Sequence, residues 1–240
     1  MAIRNGKELI MVNEKYHGLG TAPSVIRELF AYGLQQAKVV GKENVYDYSL
    51  GNPSIPAPAK VNETIKKLVD TEDSIQLHGY SMAPGFENVR QAIADNLNER
   101  FGVNAKANEL FMTCGCAPAL VSVAHALTTS PEDEFVAIAP FFPEYNVFFT
   151  CAGAKLTVVP ADTVHFQIDM DALEKTINEH SVAVVINSPN NPSGVIYPEA
   201  NIKAACEVLK AKEAEYGHPI YIIADEPYRE LVYTEEKVAF

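Results

Sequence analysis

Four things are scarce in this sequence, and each scarcity removes a class of function. The first is positive charge. Lys and Arg number 19 against 31 Asp and Glu, for a net charge of −12, with no basic run. That balance speaks against nucleic acid as a partner and offers no long-range attraction to an anionic membrane. The second is cysteine. The four present, Cys114, Cys116, Cys151 and Cys206, have neither C-x-x-C spacing nor histidine-rich company. Neither a metal site nor a disulfide framework is expected, and the thiols read as reduced, in a cytoplasmic protein. The third is the long apolar run. None reaches membrane-spanning length, and the amino terminus lacks the apolar core of a signal peptide. The fourth is the Gly-x-Gly-x-x-Gly turn of nicotinamide-binding domains, which Cys114-Gly115-Cys116-Ala117-Pro118-Ala119 does not supply.

What remains is a chain of 240 residues, 48% hydrophobic and 21% charged. That is ordinary for a soluble globular protein and enough for one large domain or one and a half. Helical spacing of apolar residues predicts helices over 23–37 (Val25, Ile26, Leu29, Phe30, Leu34) and 86–101 (Val89, Ile93, Leu97, Phe101), with another over 59–69. Between the first and last of these, Gly51, Pro53, Pro56 and Pro58 exclude regular helix and mark a fixed loop or a domain crossing. Beyond Glu109 the rhythm becomes strand, turn, helix. Strands are expected at 110–113, 135–139, 155–159, 182–187 and 220–224, and helices at 117–127, 144–151, 170–178 and 199–216. Continuous apolar strands alternating with helices predict an α/β fold, a three-layer sandwich around a mostly parallel sheet.

The polar residues fall at the carboxyl ends of these strands, where open α/β sheets bind ligands. Ser188-Pro189-Asn190-Asn191-Pro192-Ser193-Gly194 follows one strand and Ala224-Asp225-Glu226-Pro227-Tyr228 another. A carboxylate at Asp225 is either a cap or salt-bridge partner, or a buried anion that keeps the nitrogen of a pyridine protonated, making the ring an electron sink. Tyr228 and Asn191 offer a hydroxyl and an amide to a phenolate oxygen on such a ring. At the turn before the helix over 117–127, Gly115 lets the backbone approach closely. The N–H groups of Cys116 and Ala117 then face outward at the positive end of the helix dipole, a site for phosphate. Phe142, between Pro140 and Pro143, is held to stack on a flat cofactor or simply to pack.

Together these residues resemble the aspartate aminotransferase superfamily, the fold-type-I enzymes that use pyridoxal 5′-phosphate. The resemblance runs from about Tyr48 to Tyr233 and carries five ordered motifs, too many in the right order for one short pattern to explain. It implies a cofactor site made of Gly115, Cys116, Ala117, Phe142, Asn191, Asp225 and Tyr228. Tyr80 would reach the cofactor phosphate of a neighbouring subunit in a homodimer. Gly51 and Asn52 would meet the substrate carboxylate. The implied reaction moves an amino group between an amino acid and a 2-oxo acid. A carbon–sulfur lyase of the same fold and a non-catalytic ligand sensor are the alternatives, although the net charge is wrong for an attached DNA-binding domain.

Two departures qualify the resemblance. Cys116 and Ala117 stand where hydroxyl residues are common, so the phosphate contact would rest on backbone N–H groups. The lysine that the family places after the D-x-x-Y pair has no counterpart, since Lys237 lies in an unrelated Glu235-Glu236-Lys237-Val238 context. The resemblance therefore implies an amino-terminal portion of a longer enzyme, inactive by itself: an arm and part of a small domain over 1–50, and a large domain over 51–240 lacking two strands between the first and the other four.

Overall fold

The structure is a computed structural model that describes residues 3–4, 7–8, 12–51, 55–235 and 237–239. It divides into two compact units, Met1–Gly79 and Tyr80–Phe240.

The first unit opens with a short antiparallel pair, β1 (Ile3–Arg4) and β2 (Lys7–Glu8). Helix α1 (Glu14–Thr21) starts where the Asn13 side chain accepts from the backbone N–H groups of Lys15 and Tyr16. Helix α2 (Val25–Val40) ends at Gly41, whose φ of +91° suits a residue without a Cβ. Helices α3 (Ala59–Thr71) and α4 (Ser74–His78) follow, the second capped by Asp73. Among the described residues of this unit none is buried, and the apolar face of α2 (Val25, Ile26, Leu29) is exposed.

The second unit holds the core. Helix α5 (Glu87–Phe101) and helix α6 (Cys116–Leu127) precede β3 (Glu134–Ile138), α7 (Glu144–Cys151), β4 (Lys155–Val159), α8 (Met170–Thr176), β5 (Ser181–Asn187), α9 (Glu199–Tyr216) and β6 (Tyr221–Asp225). The four strands make one parallel sheet in the order β4-β3-β5-β6. The chain steps one way from β3 to β4, then crosses back over β3 to β5 and on to β6. Right-handed crossovers in opposite directions put their helices on opposite faces, and the core divides accordingly. Phe135, Ala137, Ala183 and Val185 pack with Leu120 and Ala124 of α6 and Tyr145 and Phe149 of α7. The alternate residues Val136, Ile138, Val184 and Ile186 pack with Leu173 of α8 and Ala205 and Leu209 of α9. Phe135 and Phe149 stack at 4.3 Å between ring centroids, a geometry worth about 0.5–1.5 kcal/mol beyond the area buried. This is the expected three-layer α/β sandwich.

One expected strand does not form. Leu110–Thr113 carries no regular structure: no strand lies beside it among the described residues, and an isolated segment has no ladder to complete. It leans instead on the preceding loop: the Met112 N–H donates to the Pro84 carbonyl at 3.1 Å. Gly85 makes this approach workable, since a Cβ there would lie 2.7 Å from Met112 Cγ. Strand β6 is an edge of the sheet, with Tyr221 and Ile222 exposed. Helix α8 stops two residues short of the expected end because Ile177 turns extended and is buried in the core.

Candidate functional site

The switch in chain direction between β3 and β5 leaves a crevice at the carboxyl ends of the strands, the general position of ligand sites in open α/β sheets. Side-chain parity then decides what faces it. Residues 183, 185 and 187 of β5 share one face, as do 221, 223 and 225 of β6. Val185 and Ile223 belong to the cluster beneath α6 and α7, so Asn187 and Asp225, which are paired across the two strands, emerge on that same side. A cleft opens there, lined by Cys116, Ala117, Leu120, Phe142, Phe148, Asn187, Asn191, Asp225, Pro227 and Tyr228.

Asp225 is the chemical centre, 6% exposed. Cys116 Sγ donates to its Oδ1 at 3.0 Å, and the Tyr145 hydroxyl donates to its Oδ2. Neither donor carries a charge, and none of the ion pairs among the described residues includes Asp225. Both donors are held protonated. Partial desolvation of its sulfur, although the residue as a whole is exposed, followed by the Asp225 carboxylate, pushes the Cys116 thiol up to about 12, and deeper burial with the same carboxylate pushes the Tyr145 hydroxyl well above its ordinary value. A carboxylate offers about four lone-pair positions, so two donors leave it capacity to accept again.

Asn187 ties the two strand ends together. Its Nδ2 donates to the Asp225 backbone carbonyl at 2.8 Å, and its Oδ1 accepts from the Asn191 N–H at 2.6 Å. The turn that carries Asn191 is fixed from within. Asn190 is 5% exposed, accepts from the Ser193 N–H and hydroxyl at 3.0 and 2.7 Å, and donates to the Pro140 carbonyl at 3.2 Å. Asn191 Nδ2 in turn donates to the Tyr228 hydroxyl at 3.3 Å. The two residues expected to serve one ring oxygen are therefore neighbours. Phe142 meets Tyr145 edge-on at 5.7 Å between centroids, which sets its ring on the cleft wall.

Gly115 supplies the turn into α6, with φ of +100° and nothing within 4 Å of where a Cβ would stand. The space beside the helix start is open, and the first-turn N–H groups of a helix have no intrahelical acceptors. The donor set thus fits a flat, protonated heterocycle with a phosphate tail: an anion awaiting a cation, two polar groups side by side, an aromatic wall and an open helix start.

Six of the residues singled out from sequence line this one cleft: Cys116, Ala117, Phe142, Asn191, Asp225 and Tyr228. Gly115 adjoins it as the cap of α6. Tyr80 stands elsewhere, fully exposed, beside a separate surface hollow with Met82, Pro84 and Arg90. Gly51 is exposed in the first unit, and Asn52 lies outside the described residues. Sequence reasoning missed Asn187 and Tyr145. Strand parity two residues past Val185 signals the first, whereas the second, one more ring among Phe141, Phe142, Phe148 and Phe149, carries no such signal.

Comparisons with known proteins identify the family. The family model for aminotransferase class I and II matches residues 42–240. An arginine–pyruvate transaminase of Pseudomonas aeruginosa is 28% identical over 204 residues, covering 85% of this chain and 49% of that protein. An aspartate aminotransferase of Thermotoga maritima is 29% identical over 195 residues, covering 81% and 49%. Among solved structures, an amino transferase from Eubacterium rectale superposes with a TM-score of 0.93 at 56% identity, covering 96% of this chain and 58% of that one. The chain spans about half the length of the curated relatives it matches.

Proposed function

The chain belongs to the aminotransferase class I and II family, and from that premise we propose that its cleft binds pyridoxal 5′-phosphate for transfer of an amino group between an amino acid and a 2-oxo acid. The observation that carries the proposal is the buried Asp225 carboxylate, whose side-chain donors among the described residues are both neutral, where a cationic ring nitrogen would complete it. Asp225 faces that nitrogen. Asn191 and Tyr228 serve the neighbouring ring oxygen, and Phe142 covers a ring face. The backbone N–H groups of Gly115, Cys116 and Ala117 take the phosphate at the positive end of α6. When bound there, the cofactor supplies an electron sink for the electron pair left as a proton departs from the amino acid Cα.

The residues of this chain bind, orient and hold protons in place. Cys116 and Tyr145 keep theirs, so neither is a base at neutral pH. No lysine or histidine lines the cleft among the described residues, and we assign the Cα proton transfer to no residue of it. In our proposal Gly51 and Asn52 meet the substrate carboxylate, and Tyr80 reaches the phosphate of a second copy in a homodimer, a role consistent with its full exposure. The amino acid stays open, because relatives of near-equal identity are named for arginine–pyruvate and for aspartate.

Equilibrium binding of pyridoxal phosphate, followed by fluorescence quenching, tests the reading. Saturable binding at one site per chain, lost on Asp225→Ala, is expected. Absence of binding, or binding indifferent to Asp225, overturns it. Release of ammonia and a thiol from a sulfur amino acid, without amino-group transfer, would move the reading to a lyase.

A further inference from the structure

We propose that Cys116 is a positioning residue for Asp225: its thiol and the Tyr145 hydroxyl each take one carboxylate oxygen, and the pair sets the orientation in which the anion meets the cleft. The proposal rests on the reading of Asp225 as partner of the cofactor ring. It departs from what the position in sequence suggests, since Cys116 stands at the turn expected to hold phosphate. Its sulfur lies instead 3.0 Å from Asp225 Oδ1. The phosphate is left to the backbone N–H groups, and the side chain is released for a second task.

An exposed thiol at a helix start ordinarily reads as a nucleophile, because the helix dipole lowers its pKa. Cys116 is solvent-exposed and is the first residue of α6, yet the groups around it reverse that logic. Asp225 accepts from it, and the phenols of Tyr145 and Tyr228 complete the titratable company of the cleft. No described cation lies in this set to favour a thiolate. A neutral S–H aimed at a carboxylate is a donor, and a donor on each oxygen fixes both the rotation of the carboxylate and its distance from the cleft floor. Tyr145 alone would leave Oδ1 without a side-chain donor among the described residues. Tyr145 is itself closely packed: it is 1% exposed and lies against Phe149 and Phe142. The clamp therefore has one arm on α7 and one on α6.

The test has two arms, both on the full chain. The first measures iodoacetamide labelling at each cysteine by mass spectrometry at pH 8. Cys116 is expected to label at least about tenfold more slowly than exposed Cys114, and Asp225→Asn is expected to speed Cys116 several-fold while leaving Cys114 unchanged. Equal Cys116 rates in the two proteins would overturn the contact. The second arm measures pyridoxal phosphate affinity. Cys116→Ala is expected to weaken it about three- to tenfold, less than the roughly tenfold or more that a hydrogen bond to a charged group contributes, because S–H is a weak donor. Cys116→Ser, which keeps a donor, restores it, and Cys114→Ala leaves it unchanged. A Cys116→Ala protein that binds like the parent, or a Cys116→Ser protein as weak as Cys116→Ala, refutes the positioning role. If the parent chain binds no cofactor at all, the functional reading fails, and the labelling arm alone decides the clamp.

Discussion

The two faces of the sheet are built by the same strands and end differently. Under α8 and α9 the core runs Val136, Ile138, Val184, Ile186, and the next residue of that parity, Ser188, spends its hydroxyl accepting the Tyr197 N–H at 3.0 Å. Under α6 and α7 the core runs Phe135, Ala137, Ala183, Val185, and the next positions are Asn187 and, on the neighbouring strand, Asp225. On the first face the hydroxyl at the strand end is consumed by the fold. On the second face a carboxylate is buried with acceptor capacity to spare, which is costly in a folded protein unless something else repays it. The comparison teaches where this chain gives up stability for a ligand, and each of the following measurements can break it.

The largest contrast is expected at Asp225. Removing one partner of a buried charge pair costs roughly 3–5 kcal/mol, so Asp225→Ala should weaken pyridoxal phosphate binding by about a hundredfold or more. Without cofactor the same change should leave unfolding free energy within about 1 kcal/mol of the parent, since it also removes a buried anion. A large loss of stability in the cofactor-free protein would mean that Asp225 is a structural residue and that the two faces are alike.

The mirror experiment is Leu173→Ala on the other face. Leu173 is fully buried against the sheet, and truncation of such a leucine costs about 2–5 kcal/mol. Denaturant unfolding should register that loss, while the folded fraction binds cofactor as the parent does. A change in affinity without a change in stability would place the ligand on the wrong side of the sheet.

Tyr145→Phe sits between these two. It keeps the ring packing among Phe142 and Phe149 and deletes only the donor to Asp225. A hydrogen bond to a charged group contributes about 1.5–3 kcal/mol, so both stability and cofactor affinity should fall: affinity by less than in Asp225→Ala, and stability by less than in Leu173→Ala. An effect on one alone would assign Tyr145 to one face's logic and not to both.

How far these contrasts were legible without coordinates depends on the kind of signal. The apolar runs ending at Asn187 and Asp225 announced strands, and the turns after them announced the site, because a buried strand must hand over to polar chain where the sheet ends. Parity is equally legible in principle, and it would have found Asn187 beside Asp225. Tyr145 was hidden by its neighbours: among Phe141, Phe142, Phe148 and Phe149, one more ring reads as core until its hydroxyl is seen on the carboxylate. Leu110–Thr113 reads as a strand from composition alone, but a strand is a property of a pair, and pairing is not written in either segment. The direction of the Cys116 side chain was likewise out of reach, since the turn fixes where its N–H points and not where its sulfur goes.

The smallest expected effect is also the most specific to the clamp. A thiol whose ordinary value is 9.0 is pushed up to about 12 in the folded chain. Between those values the unfolded chain has lost this proton and the folded chain has kept it, so the unfolded state binds fewer protons and stability falls as pH rises. The contribution is fully present below pH 9 and is lost as the pH climbs toward 12; Tyr145 adds a loss of the same sign at higher pH. Solvent exposure of Cys116 keeps the magnitude small. Serine does not titrate in this range, so Cys116→Ser should flatten the decline of the urea midpoint between pH 8.5 and about 10.5, while Cys114→Ala should not. Identical slopes in parent and Cys116→Ser would mean that the sulfur does not face Asp225 in solution, and the face under α6 and α7 would then lose one arm of its clamp.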